Sequence, residues 1–236
     1  MVRKPIRINL NWLEKRRFSL LLLATVLTMI LPAFSGQGLL YEIILVITLS
    51  FLFIQSTVVA NVRKSKKLLL RIIVISMILI TWLQPIGIHS IYIDIIKLLF
   101  FVAFFIFVMT YLIKYIVRST SVDVNVLITS INIYLLAGII GASLAMVFFR
   151  IYPDAYNFPG YINPPAFVHF LYYSFVTMST VGYGDITPRI PETQTLAYVI
   201  SITGQLYVAI IIASLIGKFL MQGDQKKENQ NNGIKE

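Results

Sequence analysis

The chain has 236 residues, of which 58% are hydrophobic and 13% are charged. This composition is too apolar for a soluble domain but is ordinary for a chain solvated by lipid. The formal charge of +10 does not indicate a nucleic-acid partner, because Lys and Arg collect at the ends of apolar runs. The absence of Cys excludes disulfides and thiolate metal sites. His89 and His169 are isolated, and we expect them to be interfacial or packing residues.

The first predicted membrane span covers residues 18–34 and follows a basic segment, residues 1–17, that we expect to be cytoplasmic. A basic start followed by a Leu-rich run also describes a signal peptide. This run is long, however, and no A-x-A cleavage pattern follows it, so a membrane span is the favoured interpretation.

Three further spans are predicted at about residues 39–61, 68–88 and 91–117. The loop after the second span carries the densest basic cluster of any loop, which the positive-inside rule places in the cytoplasm. The fourth span ends near Lys114 and Arg118, which return the chain to that side. Residues 18–118 are therefore predicted to form a bundle of four transmembrane helices.

The fourth span lacks the charge ladder of a voltage sensor, which needs a basic residue at every third position. It carries Lys97 near its outer end, then no charge until Lys114. Lys97 is expected to snorkel, or to pair with Asp94 or Glu42. We interpret residues 18–118 as a degenerate, sensor-like bundle.

A polar linker at residues 119–125 leads to a fifth span at residues 126–149. Gly138, Gly141 and Ala145 recur in this span at a spacing that lets helices approach closely. After a Pro-rich loop, residues 166–179 are apolar but too short to cross a membrane, which indicates a re-entrant helix. The last span is predicted at residues 196–220, followed by a polar tail at residues 223–236 that we expect to be cytoplasmic and disordered.

The segment after the re-entrant helix reads Thr180, Val181, Gly182, Tyr183, Gly184, Asp185. Alternating glycines permit backbone angles that other residues avoid, so that successive carbonyls can point one way. Four copies around an axis would then make stacked oxygen rings that replace the water shell of K⁺. The predicted K⁺ sites are at Thr180, Val181, Gly182 and Tyr183, with the Thr180 hydroxyl in the innermost ring; the alternative is an ordinary turn.

On this motif, residues 126–220 resemble the tetrameric potassium channel family, six-transmembrane type. The re-entrant helix, residues 172–179, is similar to the pore helix of that family, with Tyr172 and Tyr173 at an aromatic pair that is commonly Trp-Trp. The resemblance implies that Tyr172 or Tyr173 braces Tyr183 or Asp185 behind the filter. It also implies that Thr187 lies at the outer mouth with Asp185.

The resemblance further places a gating hinge at Gly204, although no Pro follows it in the span, and a bend at Gly217 is the lower alternative. Close helix packing is the other explanation for Gly204. If the last helix keeps the orientation of the family, Gln205, Val208 and Ile212 line the central cavity.

The sequence thus predicts an all-α integral membrane protein with six transmembrane helices, a re-entrant pore helix and a selectivity filter. The pore domain is expected at residues 126–222. The expected assembly is a homotetramer with three identical subunits, in contact with membrane lipids and not with nucleic acid. We expect a multi-pass protein of the plasma membrane with both termini cytoplasmic.

The expected function is passive, potassium-selective conduction, with no enzyme activity and no cofactor apart from K⁺ ions in the filter. A subunit of a potassium uptake transporter is one alternative, although such proteins resemble four linked repeats whose filters usually keep one glycine. A non-conducting membrane adaptor is the other. The sequence does not identify the stimulus that gates the channel.

Overall fold

The computed structural model describes residues 16–36, 38–60, 64–87, 90–119, 121–160, 162 and 166–232. In these residues the fold is helical apart from one two-stranded antiparallel ladder. The helices are α1 (Arg17–Ile30), continued by the 3-10 turn Leu31–Phe34, α2 (Leu39–Val59), α3 (Lys64–Trp82), α4 (Ile91–Arg118), α5 (Val124–Ile151), α6 (Phe167–Met178) and α7 (Pro191–Asn232). The strands are β1 (Tyr156–Asn157) and β2 (Thr187–Pro188), with Asn157 opposite Thr187.

Five helical segments in the described part of the chain are long and apolar enough to cross a membrane. They are Arg17–Phe34, Leu39–Val59, Ile91–Arg118, Val124–Ile151 and Pro191–Ser214. Helix α3 is not among them, and it carries Lys64, Lys66, Lys67 and Arg71 in its first half. It ends at Trp82 in a series of turns, earlier than the predicted third span, whose last residue lies outside the described residues. A sixth span therefore stays a prediction.

Helices α4 and α5 pack closely along one another, and α1 packs against both α2 and α5. Only five residues separate α4 from α5, and so short a connection brings consecutive helices together. The Asp123 carboxylate accepts a hydrogen bond from the Val126 N–H at 2.8 Å and caps the start of α5. The Asn132 side chain donates to the Phe18 carbonyl at 3.0 Å, which links α5 to α1.

One face of the middle of α4 is buried in an aromatic cluster, and this part of the helix carries no charge. Phe53 of α2 lies 4.9 Å from Phe101, 5.6 Å from Phe104 and 5.6 Å from Phe105, measured between ring centroids. Edge and stacked pairs of this kind add to the stabilisation from apolar burial. The uncharged run predicted for the fourth span is therefore the part of α4 that packs against α2.

Helix α7 continues to Asn232, so the prediction of a disordered tail is wrong for residues 223–232. The polar tail contains several Gln, Lys and Glu residues, which are good helix formers. A helix that is already formed also extends without a new nucleation cost. Composition alone does not carry that information, because it ignores the helix that precedes the tail.

Candidate functional site

The short helix α6 lies between α5 and α7, and glycines on both long helices make room for it. A Cβ at Gly138 would overlap the Phe175 ring, and one at Gly141 would overlap the Ser174 hydroxyl. The Ser174 hydroxyl donates to the Gly138 carbonyl at 2.8 Å. The predicted close approach at these glycines is confirmed, and the helix that approaches there is α6.

Gly204 on α7 lies directly against the last turn of α6. A Cβ at this position would overlap the backbone carbonyl oxygen of Met178 and the Met178 side chain. The structure thus supplies a packing reason for a glycine at this position. By contrast, nothing lies within 4 Å of a Cβ built on Gly217.

The chain after α6 turns back on that helix through its amide groups. The Val181 and Gly182 N–H groups both donate to the Val176 carbonyl, at 3.1 and 3.2 Å. In a planar trans peptide the C=O points opposite to the N–H. The carbonyls of Thr180 and Val181 therefore point together, away from α6 and towards the exposed side of the segment.

The backbone of residues 180–184 alternates in handedness. Thr180, Gly182 and Gly184 have φ of 60°, 56° and 79°, and Thr180 is the only non-glycine residue with positive φ among the described residues. Alternation between left- and right-handed conformations keeps successive peptide groups facing one side. A β-branched residue at positive φ is strained by about 1–3 kcal/mol, and such strain clusters at functional sites.

Tyr172 contacts the segment at its far end. Its hydroxyl donates to the Asp185 carboxylate at 2.6 Å, and its ring is nearly parallel to that of Tyr183, at 6.4 Å between centroids. The Ile186 N–H also donates to Asp185, at 3.0 Å. The hydrogen bond from Tyr172, followed by the backbone bonds, lowers the pKa of Asp185 below its ordinary value. The sequence left open whether Tyr172 or Tyr173 contacts Tyr183 or Asp185. In the structure Tyr172 makes the hydrogen bond to Asp185.

Tyr173 is buried on the other side of α6 and does not reach the segment. Its ring packs at 73° against that of Tyr156, with centroids 5.3 Å apart. Tyr156 belongs to an aromatic cluster with Phe149, Phe158 and Phe170, and burial raises the pKa of the Tyr156 hydroxyl. Sequence reasoning missed this cluster, and the only signal for it was the aromatic content of the loop before α6.

Thr187 lies in strand β2, where the Asn157 side chain donates to its hydroxyl at 3.3 Å. The side chain is half-buried. The pairing of β1 with β2 ties the segment after Asp185 to the loop that follows α5. The predicted outer-mouth residues Asp185 and Thr187 are thus held by different partners, Tyr172 and Asn157.

The predicted cavity residues on α7 are all exposed in the single chain. The Gln205 amide lies 3.4 Å from the Thr180 hydroxyl, so that α7 contacts the start of residues 180–184, which we call the TVGYG segment. Val208 and Ile212 are 41% and 52% exposed, and the spacing of the three residues puts them on one face of a helix. The structure therefore brings Gln205 and Thr180 together and leaves the face below them uncovered.

Comparison with known protein families gave a match that covers this part of the chain. Residues 133–222 match the family model described as "Ion channel". The match covers less than half of the chain and runs from within α5 through α6 and the TVGYG segment into α7. No curated protein and no solved structure gave a significant match.

Residues 133–222 are therefore similar to an ion channel domain, and the described part of the chain has five helical segments that are long and apolar enough to cross a membrane. The matched family is not a class of enzymes, which agrees with the prediction that the chain is not an enzyme.

Proposed function

We propose that this protein is one subunit of a homotetrameric potassium channel in which residues 180–184 form the selectivity filter. The observation that carries this proposal is the shared direction of the Thr180 and Val181 carbonyls, set by the two amides that bond Val176. In the described chain, no hydrogen bond is directed to the carbonyl oxygens of Thr180, Val181, Gly182 or Tyr183. Four such ribbons around an axis would offer rings of carbonyl oxygens to a dehydrated K⁺ ion.

The exposure of the site supports an assembly of several chains. Val181 and Tyr183 are 54% and 71% exposed, although both are large apolar or aromatic side chains. Within an apolar stretch of 18 residues in each helix, 17% of the residues of α7 are buried inside the chain, compared with 61% for α5. Four copies meeting at residues 180–184 would cover these surfaces, with lipid covering the remainder.

In this proposal the segments have separate roles. Residues 126–222 form the pore domain, with Gln205, Val208 and Ile212 facing the cavity. The hydrogen bond from Tyr172 to Asp185 holds the outer end of the filter. Residues 18–118 form a sensor-like bundle, and residues 119–125 connect it to the pore. The protein would lie in the plasma membrane with both termini cytoplasmic.

The test is the purified chain in planar bilayers with K⁺ and Na⁺ gradients of opposite direction. A reversal potential near the K⁺ equilibrium potential supports a potassium-selective pore. A reversal potential near zero means a non-selective channel. The mass of the purified assembly, measured by native mass spectrometry, tests the tetramer separately.

The same recordings distinguish the two alternatives. A potassium uptake transporter would show slow flux without single-channel steps. A membrane adaptor would show no flux although the purified protein is folded. Gly182→Ala, which we expect to lose conduction or selectivity, is the control for both cases.

A further inference from the structure

A cavity of about 600 Å³ lies between the bundle of α1–α4 and the start of α6. Its lining residues lie at the C-terminal ends of α1, α3 and α5 and at the N-terminal ends of α2, α4 and α6. The charge pattern predicts that these helix ends are on the extracellular side. None of residues 180–184 and no residue of α7 contributes to its wall. The cavity is therefore separate from the proposed ion pathway.

The lining changes from polar to apolar with depth. Its polar side chains lie near the helix ends and include Glu42, Gln84, Asp94, Lys97, Arg150 and His169. Among its apolar side chains, Leu45, Leu49, Phe101 and Met146 lie further along the same helices, and Leu98 and Phe149 lie beside Lys97 and Arg150. On α2 the distance from Glu42 to Leu49 is about 10 Å at 1.5 Å per residue. A ligand that matches this lining has a polar head and an apolar chain.

One wall of the cavity carries a surplus positive charge. The Asp94 carboxylate is paired with Lys97 at 2.9 Å and with Arg150 at 3.3 Å, so one negative charge faces two positive charges. The Lys97 side chain is only 9% exposed, and it also donates to Gln84 at 3.0 Å. A surplus charge away from water is unfavourable unless it is paired. An anionic head group would supply the missing partner, and the planar guanidinium of Arg150, with a side chain 33% exposed, suits a carboxylate.

Glu42 and His169 also line the cavity. Glu42 on α2 is half-buried and contributes a negative charge that opposes an anionic head. His169 on α6 accepts a hydrogen bond from the Ala166 N–H at its Nδ1, at 2.9 Å, and so caps the start of that helix. The surplus positive charge therefore belongs to the wall formed by α4 and α5.

We propose that this cavity binds a single-chain amphiphile with a carboxylate head, a long-chain fatty acid. The carboxylate lies against Arg150 and Lys97, and the chain extends towards Leu49 and Phe101. A volume of about 600 Å³ lies in the range of about 300–1,000 Å³ typical of small-ligand sites and suits one chain. Binding can be measured without ion conduction, so this proposal stands or falls independently of the proposed function.

The test is photolabelling of the purified full-length protein with a palmitic acid analogue that carries a diazirine near the end of its chain. We expect the label on the peptides that contain Leu49 and Phe101, and we expect excess unmodified palmitic acid to suppress it. Arg150→Gln should weaken binding by about tenfold or more, because it removes a charge-assisted contact. Glu42→Gln should leave binding unchanged or strengthen it. Arg118→Gln, at the opposite end of α4, is the matched control and should change nothing.

A second variant tests the cavity itself, without a change of charge. Val46 lines the cavity, and Val46→Trp should fill part of it and reduce labelling, whereas Leu23→Trp on the exposed face of α1 should not. This pair decides the question if Arg150→Gln fails to fold.

Two results would overturn the proposal. One is labelling spread over the apolar surface and insensitive to both Arg150→Gln and Val46→Trp. The other is preferential binding of a lysophosphatidylethanolamine probe that Glu42→Gln weakens, since the site would then select a zwitterionic head.

Discussion

The Tyr172 hydroxyl donates to the Asp185 carboxylate across the back of the TVGYG segment, at 2.6 Å. Tyr172 lies within α6, whereas Asp185 directly follows the segment, so that this hydrogen bond connects the outer end of the segment to the helix that precedes it. The same tyrosine ring stacks beside Tyr183. The Tyr172 phenol group therefore makes two of the contacts that hold the outer end of the segment, beside the hydrogen bond from the Ile186 N–H to Asp185.

We predict that Tyr172→Phe makes the channel more sensitive to external acid. The pKa of Asp185 is lowered chiefly by the Tyr172 hydrogen bond. A carboxyl whose folded pKa is depressed stabilises the folded site above its unfolded pKa, and this stabilisation is lost as the pH falls through the folded pKa. Without the hydroxyl the folded pKa rises, so conduction should fail at a higher pH than in the wild type. The measurement is K⁺ conductance against external pH.

Tyr173→Phe is the matched control for this experiment, because Tyr173 packs against Tyr156 and does not contact Asp185. It should leave the pH profile of conduction unchanged. If the profiles of Tyr172→Phe and the wild type coincide, the hydrogen bond has no role in holding the ionised carboxylate.

We predict that Gly182→Ala abolishes K⁺ conduction or its selectivity over Na⁺. Gly182 has φ of 56°, a conformation that costs a residue with a Cβ roughly 1–2 kcal/mol. Four copies of this strain would meet in one assembly. Gly160→Ala is the control, because Gly160 has open space around a Cβ and no positive φ. The measurement is the reversal potential in mixed K⁺ and Na⁺ solutions. Wild-type selectivity in Gly182→Ala would contradict a filter at this residue.

The sequence predicted α4 and α5 well, because each is an apolar run bounded by polar or basic residues, whereas α7 extends beyond the predicted last span at both ends. The positions of α4 and α5 differ from the predicted spans by only a residue or two at each end. The orientation of the tyrosine pair was not predictable, since the choice between Tyr172 and Tyr173 depends on which side of α6 faces residues 183–185. The glycine at position 204 was ambiguous for a similar reason, because a hinge and a close contact both favour glycine.

The cavity lined by Arg150 and Lys97 was not predictable either. Asp94 and Lys97 are three residues apart on one helix, and of the alternatives that the sequence left for Lys97 the structure contains this pair. Arg150 belongs to α5 and lies 53 residues after Lys97 in the sequence. Only the packing of α4 along α5 brings the three charges together.

We predict a shallow dependence of open probability on voltage. The middle of α4 is an aromatic cluster without charge, and Lys97 is paired with Asp94 on the same helix. Moving that pair together carries no net charge across the field, whereas each unpaired charge contributes about 2.3 kcal/mol per 100 mV. The slope of open probability against voltage in the purified channel tests this. A slope as steep as that of a true voltage-gated channel, which Lys97→Gln reduces, would contradict it.

We predict that Gly204→Ala alters conduction through the filter and not only the probability of opening. If Gly204 were only the hinge that the resemblance implies, alanine would stiffen α7 and leave the conductance and selectivity of the remaining openings unchanged. The structure changes that expectation, because a Cβ on Gly204 would overlap the Met178 carbonyl at the end of α6. The TVGYG segment begins two residues after Met178, so a displacement of that carbonyl shifts the start of the segment.

Single-channel conductance and K⁺/Na⁺ permeability ratios of Gly204→Ala measure this effect, and Gly217→Ala is the matched control. Both substitutions add the same methyl group to α7 and raise its helix propensity by the same amount, about 1 kcal/mol. Nothing lies within 4 Å of a Cβ on Gly217, so a change in filter properties should occur only at Gly204. If Gly204→Ala changes open probability while conductance and selectivity match the wild type, Gly204 acts as a hinge and its contact with Met178 yields without disturbing the filter.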